Sequence, residues 1–153
     1  MPNTRHGATT SVRSIVRGRG DVLAVVAVGG AIGSAGRWLV NASLPHHDGS
    51  FPWSTLIENV SGSLLLGALL ALVLEVLRPG RYLRAFAGTG VLGGYTTFST
   101  YSADTLSLMR AQEQWAAFGY VAGTLVGGLA SAWIGLTLVR AIVVRTHSTD
   151  DAA

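Results

Sequence analysis

The chain contains no cysteine, which excludes disulfides, thiolate metal sites and cysteine nucleophiles. It is also poor in charge, since Asp, Glu, Lys and Arg make up 12% of its 153 residues, about half of the roughly 25% found in soluble domains. Lysine is absent, so arginine supplies all 11 basic side chains. Low charge, 49% hydrophobic residues and 20 glycines together predict an all-α integral membrane protein.

Long apolar stretches cover most of the chain beyond residue 21. A bilayer core requires about 20 mostly apolar residues per helix, and four stretches are long enough: residues 22–44, 54–77, 85–107 and 114–140. We therefore predict four transmembrane helices within one membrane domain, residues 21–145. The basic tail 1–20 and the C-terminal tail 146–153 are expected to be disordered.

Arginine is distributed unevenly between the two sides of these four spans. One side carries Arg110, together with Arg37 if that residue is counted. The other side, formed by the two tails and the second loop, carries nine: Arg5, Arg13, Arg17, Arg19, Arg78, Arg81, Arg84, Arg140 and Arg145. The positive-inside rule then places both termini in the cytoplasm of a multi-pass protein of the bacterial plasma membrane.

Small residues recur at four-residue spacing in two of the spans. Gly29 and Gly33 share a face of the first, and Gly119, Gly123 and Gly127 share a face of the fourth. Such faces allow helix backbones to approach closely in a membrane. We predict that both faces pack against neighbouring helices.

Ionisable side chains inside or near the spans allow two interpretations each. Arg37 either reaches the membrane interface or draws anions toward a vestibule. Glu58 and Glu75 lie near span ends, which favours interfacial placement over proton transfer. In the first loop, a solvated His46–His47 pair is favoured over weak metal binding.

Polar groups in the second and third spans are harder to place in lipid. Asn59 must find partners, so it either joins helices or lines an aqueous route. The third span contains poor helix formers, and we predict a helix broken at Gly93–Thr97. A break at membrane depth frees carbonyls for a small cation and exposes a helix N-terminus that favours anions.

The residues after this break combine aromatic rings with hydroxyl groups. Phe98 and Tyr101 are three apart and share a helix face, while Ser99 and Thr100 add donors. Because the edge of an aromatic ring is electropositive, it can contact a small anion. A packed helix with aromatic core residues is the alternative.

Three blocks of the sequence resemble those of the Fluc (CrcB) family of bacterial fluoride channels. They are "GGAIGSAGRW" in the first span, "STLIENVSGSLLLG" in the second and "GTGVLGGYTTFSTYSAD" in the third. The third block is very specific, and the resemblance covers about residues 22–140. It implies a passive channel for fluoride export, with no enzymatic activity, no organic cofactor and no nucleic acid partner.

The resemblance also implies an assembly and assigns residues to it. Two chains inserted in opposite directions would form an antiparallel dimer with two fluoride pores, and a structural Na⁺ at its centre would be held by the carbonyls of Gly93 and Thr96. The fluoride pathway would comprise Asn59, Phe98, Tyr101, Ser99, Thr100 and Arg37.

Several positions depart from the family pattern. Tyr101 replaces the second phenylalanine, Asp104 replaces a glutamate, and Glu58 stands where a small or apolar residue is usual. In the fourth span only Thr124 and Ser131 are candidates for the expected polar residues. Nine arginines against two also predict a single orientation, and therefore pairing with an inverted homologue, although a homodimer stays open.

Two other functions are compatible with a small four-span protein. A proton-coupled drug or cation exporter would need a carboxylate within the membrane, and Glu58 is the residue whose replacement by glutamine tests this. A non-transporting membrane assembly factor could be built on the glycine faces alone. It would have no use for Asn59 or the hydroxyl and aromatic residues of the third span.

Overall fold

A computed structural model describes residues 20–75 and 80–150 of the chain, and these residues form helices and connecting turns without a strand. The elements are α1 (Gly20–Ser43), α2 (Trp53–Glu75), α3 (Arg81–Leu83), the π-helical π1 (Arg84–Leu92), α4 (Gly93–Tyr95), α5 (Phe98–Arg110) and α6 (Gln114–Asp150). We refer to residues 81–110, from α3 to α5, as the third segment.

Three of the described helices are long and apolar enough to cross a membrane. They correspond to the first, second and fourth predicted spans and cover Gly20–Ser43, Trp53–Leu74 and Gln114–Val143. The third segment is divided into shorter elements and is not in this set. Residues 1–19 of the predicted basic tail lie outside the described residues.

The C-terminal tail that was expected to be disordered from residue 146 instead begins as helix. Helix α6 continues to Asp150, because neither glycine nor proline occurs between Gly135 and that residue. Residues 151–153 lie outside the part of the chain that the structure describes.

The helices pack as two pairs. Helix α2 makes its most extensive contacts with α6, and α1 packs against π1 and α4 of the third segment. Asp21 contacts Arg81, and further along α1 Gly33 lies against Val91. Because residue numbers increase together on both sides of the contact, α1 and the third segment run in the same direction. The third segment therefore extends along the length of α1.

Glycines form the contact between α1 and the third segment. A Cβ atom added at Gly33 would lie 2.0 Å from the Val91 carbonyl oxygen, and one at Gly29 would lie 2.6 Å from that of Phe86. On the opposite side, a Cβ atom at Gly90 would lie 3.0 Å from the Gly29 Cα. The prediction of close packing at Gly29 and Gly33 is confirmed.

Within the described residues of this chain, the glycine face predicted in the fourth span makes a close contact at Gly127 alone. Nothing in the described chain lies within 4 Å of a Cβ atom added at Gly119 or Gly123, and at Gly127 the nearest atom is a Val60 methyl at 3.2 Å. The close approach to α2 occurs at Gly135, where a Cβ atom would lie 2.1 Å from the Leu64 carbonyl oxygen. The same four-residue spacing continues to Gly135, and the two helices cross at that end.

The two ends of the bundle are tied differently. Asp21 at the start of α1 pairs with Arg81 and with the Tyr82 hydroxyl. At the other end, the loop after α1 turns at Gly49, which has φ +80° and donates its N–H to the Ser107 Oγ at 3.0 Å. These contacts fix both ends of the third segment against α1 and its loop.

Candidate functional site

The third segment is interrupted between α4 and α5. Thr96 (φ −78°, ψ 156°) and Thr97 (φ −147°, ψ 125°) have extended backbones, and α5 begins at Phe98. The interruption is narrower than the predicted Gly93–Thr97, because helical geometry continues through Tyr95. The helix therefore ends at Tyr95, three residues later than a break beginning at Gly93 predicts.

Gly94 serves close packing and lies outside the interruption. A Cβ atom at this position would lie 2.5 Å from the Gly30 carbonyl oxygen and 3.1 Å from the Gly30 Cα. The residue is needed because α1 passes directly over it. Low helix propensity was thus a misleading signal for where the helix stops.

Asn59 on α2 holds the backbone of Thr97. Its Nδ2 donates to the Thr97 carbonyl oxygen at 3.1 Å, and the Thr97 N–H donates to the Asn59 Oδ1 at 3.0 Å. One turn further along α2, Gly62 allows this approach, since a Cβ atom there would lie 2.3 Å from the Thr96 Cγ2. Asn59 joins two helices, as one of its two interpretations required.

Thr97 caps α5, a role that the sequence predictions missed. Its Oγ1 accepts from the Thr100 N–H at 3.2 Å and donates to the Thr100 Oγ1 at 3.0 Å, and it lies 3.3 Å from the Ser99 Oγ. Threonine is a preferred N-cap residue. That preference, applied to the residue just before "FSTYS", was the available signal.

A groove of about 400 Å³ brings five predicted site residues together: Asn59, Gly93, Thr96, Phe98 and Tyr101. Thr124, one of the two fourth-span candidates, also lines it, whereas Ser131 does not. Ser99, Thr100 and Arg37 are outside the lining. Residues not predicted complete the wall: Gly62, Ser63, Leu66, Gly88, Leu92, Thr97 and Leu125.

The two aromatic residues after the interruption share a helix face, as predicted. The ring centroids of Phe98 and Tyr101 are 5.8 Å apart with the planes inclined at 38°. Phe98 is 80% exposed, whereas Tyr101 is half-buried and its ring lies 5.3 Å from that of Tyr120. Phe98 therefore presents a free ring to the groove, and Tyr101 is supported from behind.

The backbone oxygens predicted to hold a cation lack the donors that a continuous helix would supply. The Gly93 carbonyl would accept from the Thr97 N–H, and the Thr96 carbonyl from the Thr100 N–H. Those two N–H groups instead donate to the Asn59 Oδ1 and the Thr97 Oγ1. Two available carbonyl oxygens suit a hard cation such as Na⁺. The described residues contain no cluster of His, Cys, Asp or Glu that would hold a metal ion.

Asp104 on α5 organises a polar cluster at the loop end of the bundle. It accepts from the Thr55 Oγ1 at 2.8 Å and the Tyr120 hydroxyl at 3.3 Å, and lies 3.4 Å from the His46 Nε2. The His46 Nδ1 is 3.2 Å from the Ser54 Oγ. The expectation of a solvated histidine pair is therefore wrong for His46, which is half-buried because α2 and α5 meet the loop here.

Glu58 is fully buried within the chain, and its interfacial placement in the membrane stays a prediction. The Asn41 Nδ2 donates to its Oε1 at 2.6 Å and to the Arg37 carbonyl oxygen at 3.1 Å. Its Oε2 has no hydrogen-bond partner among the described residues. Packing of α1 against α2 covers the carboxylate, while Arg37 is half-buried. The side chain of Glu75 lies outside the described residues.

Comparison with known proteins gives one consistent family. Residues 24–136 match the family model described as "CrcB-like protein, Camphor Resistance (CrcB)". The chain is 43% identical over 127 residues to a protein named fluoride-specific ion channel FluC 3 of Streptomyces avermitilis, covering 83% of this chain and 62% of that protein.

Two further relatives are covered over more of their length. The chain is 39% identical over 119 residues to FluC 2 of Nocardia farcinica, and 44% identical over 117 residues to FluC of Paracoccus denitrificans. These matches cover 78% and 76% of this chain, and 85% and 93% of the two relatives. All three relatives carry the name fluoride-specific ion channel. Because the family model matches most of its length, the chain belongs to the CrcB family.

Proposed function

We propose that this chain is a subunit of a fluoride-specific channel that lowers cytoplasmic fluoride by passive export across the bacterial plasma membrane. The observation that carries this proposal is the groove in which the Asn59 amide, the Phe98 and Tyr101 rings and the interruption of the third segment come together. The names of the relatives supply the ion. Neither a catalytic group nor an organic cofactor has a role in this function.

The chemistry of the groove suits a small, strongly hydrated anion. A pore must replace the water around fluoride with donors, while keeping each site weak enough for the ion to leave. Asn59 donates one N–H to Thr97 and keeps its second N–H available. The electropositive ring edges of Phe98 and Tyr101 add further weak contacts.

Hydroxyl groups beside the groove extend this set of donors. Since the Thr100 Oγ1 accepts from Thr97, its own proton stays available for an anion. Ser99 is exposed next to it. Arg37 does not line the groove, and we assign it the role of attracting anions toward the mouth.

We propose four membrane crossings, with the third helix broken at Thr96 and Thr97. The third segment runs beside α1, from the Asp21–Arg81 pair at one end to the Gly49–Ser107 hydrogen bond at the other. The third segment is as long as a spanning helix, and its two ends are bonded to α1 and to the loop after α1. This arrangement supports a fourth crossing. Broken backbone is tolerated at membrane depth where protein buries it or a cavity adjoins it.

We assign the carbonyls of Gly93 and Thr96 to a structural Na⁺ at the centre of an antiparallel dimer. When bound, the ion would be held by these carbonyl oxygens and would offset their partial negative charge. The available lone pairs at these two residues support the assignment.

We further propose that the partner is a homologous chain of opposite orientation. The Asp21–Arg81 contact places the start of α1 beside the start of the third segment, so Arg81 lies at the end of the bundle where α1 begins. Nine arginines against two favour one orientation, with both termini in the cytoplasm. Reporter tags on each terminus should therefore be found on the cytoplasmic face alone. Equal labelling on both faces would contradict a single orientation.

Fluoride efflux from liposomes tests the function. The purified chain, reconstituted alone and with an oppositely biased homologue, should release trapped fluoride and not chloride, as read by ion-selective electrodes. Replacing Phe98 by isoleucine removes an exposed ring edge and should reduce the efflux. The absence of fluoride efflux from every reconstituted combination refutes the proposal.

A proton-coupled exporter is the second candidate, and the fully buried Glu58 is the observation in its favour. This carboxylate is bonded to Asn41 and does not line the groove. An exporter would need its proton-carrying group to face the transported molecule, so the placement favours the channel.

A further inference from the structure

The Asn59 side chain hydrogen-bonds to both backbone polar groups of Thr97, its carbonyl and its N–H. The amide both donates to the Thr97 carbonyl and accepts from its N–H, at 3.1 and 3.0 Å. Thr97 is only 7% exposed, so water cannot replace these bonds freely. A side chain of α2 therefore takes the place of the helical acceptor that the Thr97 N–H would otherwise have, and adds a donor to the Thr97 carbonyl.

This replacement determines whether the helix can continue. In an unbroken helix the Thr97 N–H would donate to the Gly93 carbonyl. Asn59 withdraws that donor, and the extended backbone that follows lets the Thr97 hydroxyl withdraw the Thr100 N–H from the Thr96 carbonyl. The Gly93 oxygen thus loses its helical donor to a side chain of the neighbouring helix, and the Thr96 oxygen loses its donor to the Thr97 hydroxyl of the backbone that Asn59 holds.

The local packing allows a side chain as short as asparagine to do this. Gly62, three residues after Asn59, lets α2 lie directly against the Thr96 methyl group. Asn59 is thereby held within reach of Thr97.

We infer that Asn59 is a positioning residue for the cation site. It keeps the third segment interrupted at Thr96 and Thr97, and so keeps the Gly93 and Thr96 carbonyl oxygens available to bind the cation. The inference rests on the proposed function for the existence of that site and deepens it. Asn59 would then have two roles. Its second Nδ2–H remains available to an anion, while its Oδ1 and first Nδ2–H hold Thr97 and thereby position the cation ligands. Loss of the amide should weaken cation binding even when no fluoride is present.

Sodium-dependent thermal stability of the purified protein tests this without measuring transport. Melting temperatures are followed in detergent while NaCl replaces N-methyl-D-glucamine chloride at constant ionic strength. The variants are Asn59→Leu, which removes both bonds, and Asn59→Asp, which keeps the acceptor for the Thr97 N–H. The matched control is Asn41→Leu, the same change at a half-buried asparagine that does not touch the interruption.

We expect the sodium concentration at half-maximal stabilisation to be the same in the wild type and in Asn41→Leu. In Asn59→Leu it should rise at least about tenfold, as is usual when a residue that orients metal ligands is lost. Asn59→Asp should fall between the two, and it also provides the comparison if Asn59→Leu does not fold. An unchanged sodium response in Asn59→Leu, or in Asn59→Asp where only that variant folds, overturns the inference, as does a wild type that sodium does not stabilise.

Fluoride efflux, measured separately in liposomes, distinguishes the two proposals. A sodium response that is lost in Asn59→Leu, with no efflux from the wild type either alone or with the oppositely biased homologue, refutes the fluoride function and leaves the positioning role intact. Normal wild-type efflux with an unchanged sodium response in Asn59→Leu refutes the positioning role and leaves the fluoride function intact.

Discussion

Replacing Gly33 by alanine should force α1 away from the third segment. The new Cβ atom would lie 2.0 Å from the Val91 carbonyl oxygen and 2.9 Å from the Tyr95 nitrogen. Cβ atoms essentially never come within 3.0 Å of such an atom, so the two backbones must separate by about 1 Å, the difference between 3.0 and 2.0 Å. Both obstacles are backbone atoms, which cannot rotate out of the way.

The size of the effect follows from two opposing contributions. Overpacking costs about 1–3 kcal/mol, and a clash with backbone belongs at the upper end. Alanine regains up to about 1 kcal/mol over glycine in helix propensity. We therefore expect Gly33→Ala to lower the free energy of unfolding by about 2 kcal/mol, roughly a 30-fold change in the folding equilibrium.

Gly36 provides the matched control three residues along the same helix. A Cβ atom there would lie 3.6 Å from the Tyr95 Cδ2, an ordinary contact, so Gly36→Ala should be neutral or stabilising by up to about 1 kcal/mol. Denaturant unfolding of both variants in the same detergent measures the difference. If Gly33→Ala is at least as stable as Gly36→Ala, the close approach of these helices is not what stabilises the pair.

Three further substitutions test other parts of the site. Glu58→Gln should leave fluoride efflux within a few-fold of the wild type, because glutamine keeps an acceptor at this position, and complete loss of transport would instead support the exporter. Thr97→Ala removes the cap of α5 and should lower the unfolding free energy by about 1 kcal/mol, whereas Thr97→Ser should preserve it. Tyr101→Phe keeps both ring contacts and removes a hydroxyl that makes no hydrogen bond within the described residues, so stability should change by less than about 0.5 kcal/mol and efflux should persist. A large loss of efflux in Tyr101→Phe would show that the hydroxyl acts on the ion.

Features governed by local sequence could be predicted well. Helices α1, α2 and α6 follow from uninterrupted apolar length. The close contacts at Gly29 and Gly33, and the shared face of Phe98 and Tyr101, follow from helical spacing alone.

Features that depend on a partner far along the chain could not be predicted. Asn59 meets Thr97 across 38 residues, and Asn41 meets Glu58 across 17. No local pattern determines which residue of one helix faces which residue of another. For the same reason the spacing of Gly119 and Gly123 did not reveal that α6 crosses α2 nearer its other end.

The third segment shows why counting polar residues underestimates its fitness for a membrane. Thr96 donates its hydroxyl to the Leu92 carbonyl at 2.9 Å, Ser102 to that of Phe98 at 2.9 Å, and Thr105 to that of Tyr101 at 2.8 Å. A hydroxyl bonded to the carbonyl four residues earlier no longer needs water, so burying it costs far less than hydropathy by residue type implies.

This bonding divides the hydroxyls of the third segment into two groups. Those of Thr96, Ser102 and Thr105 are occupied by their own helices. The Thr100 hydroxyl accepts from the capping Thr97 and keeps its own proton, whereas the exposed Ser99 hydroxyl lies 3.3 Å from the Thr97 Oγ1. Because unoccupied donors at membrane depth are costly, they persist where an anion or water meets them. The available Thr100 donor, shortly after the interruption, and the exposed Phe98 ring therefore support the proposed anion route along the start of α5.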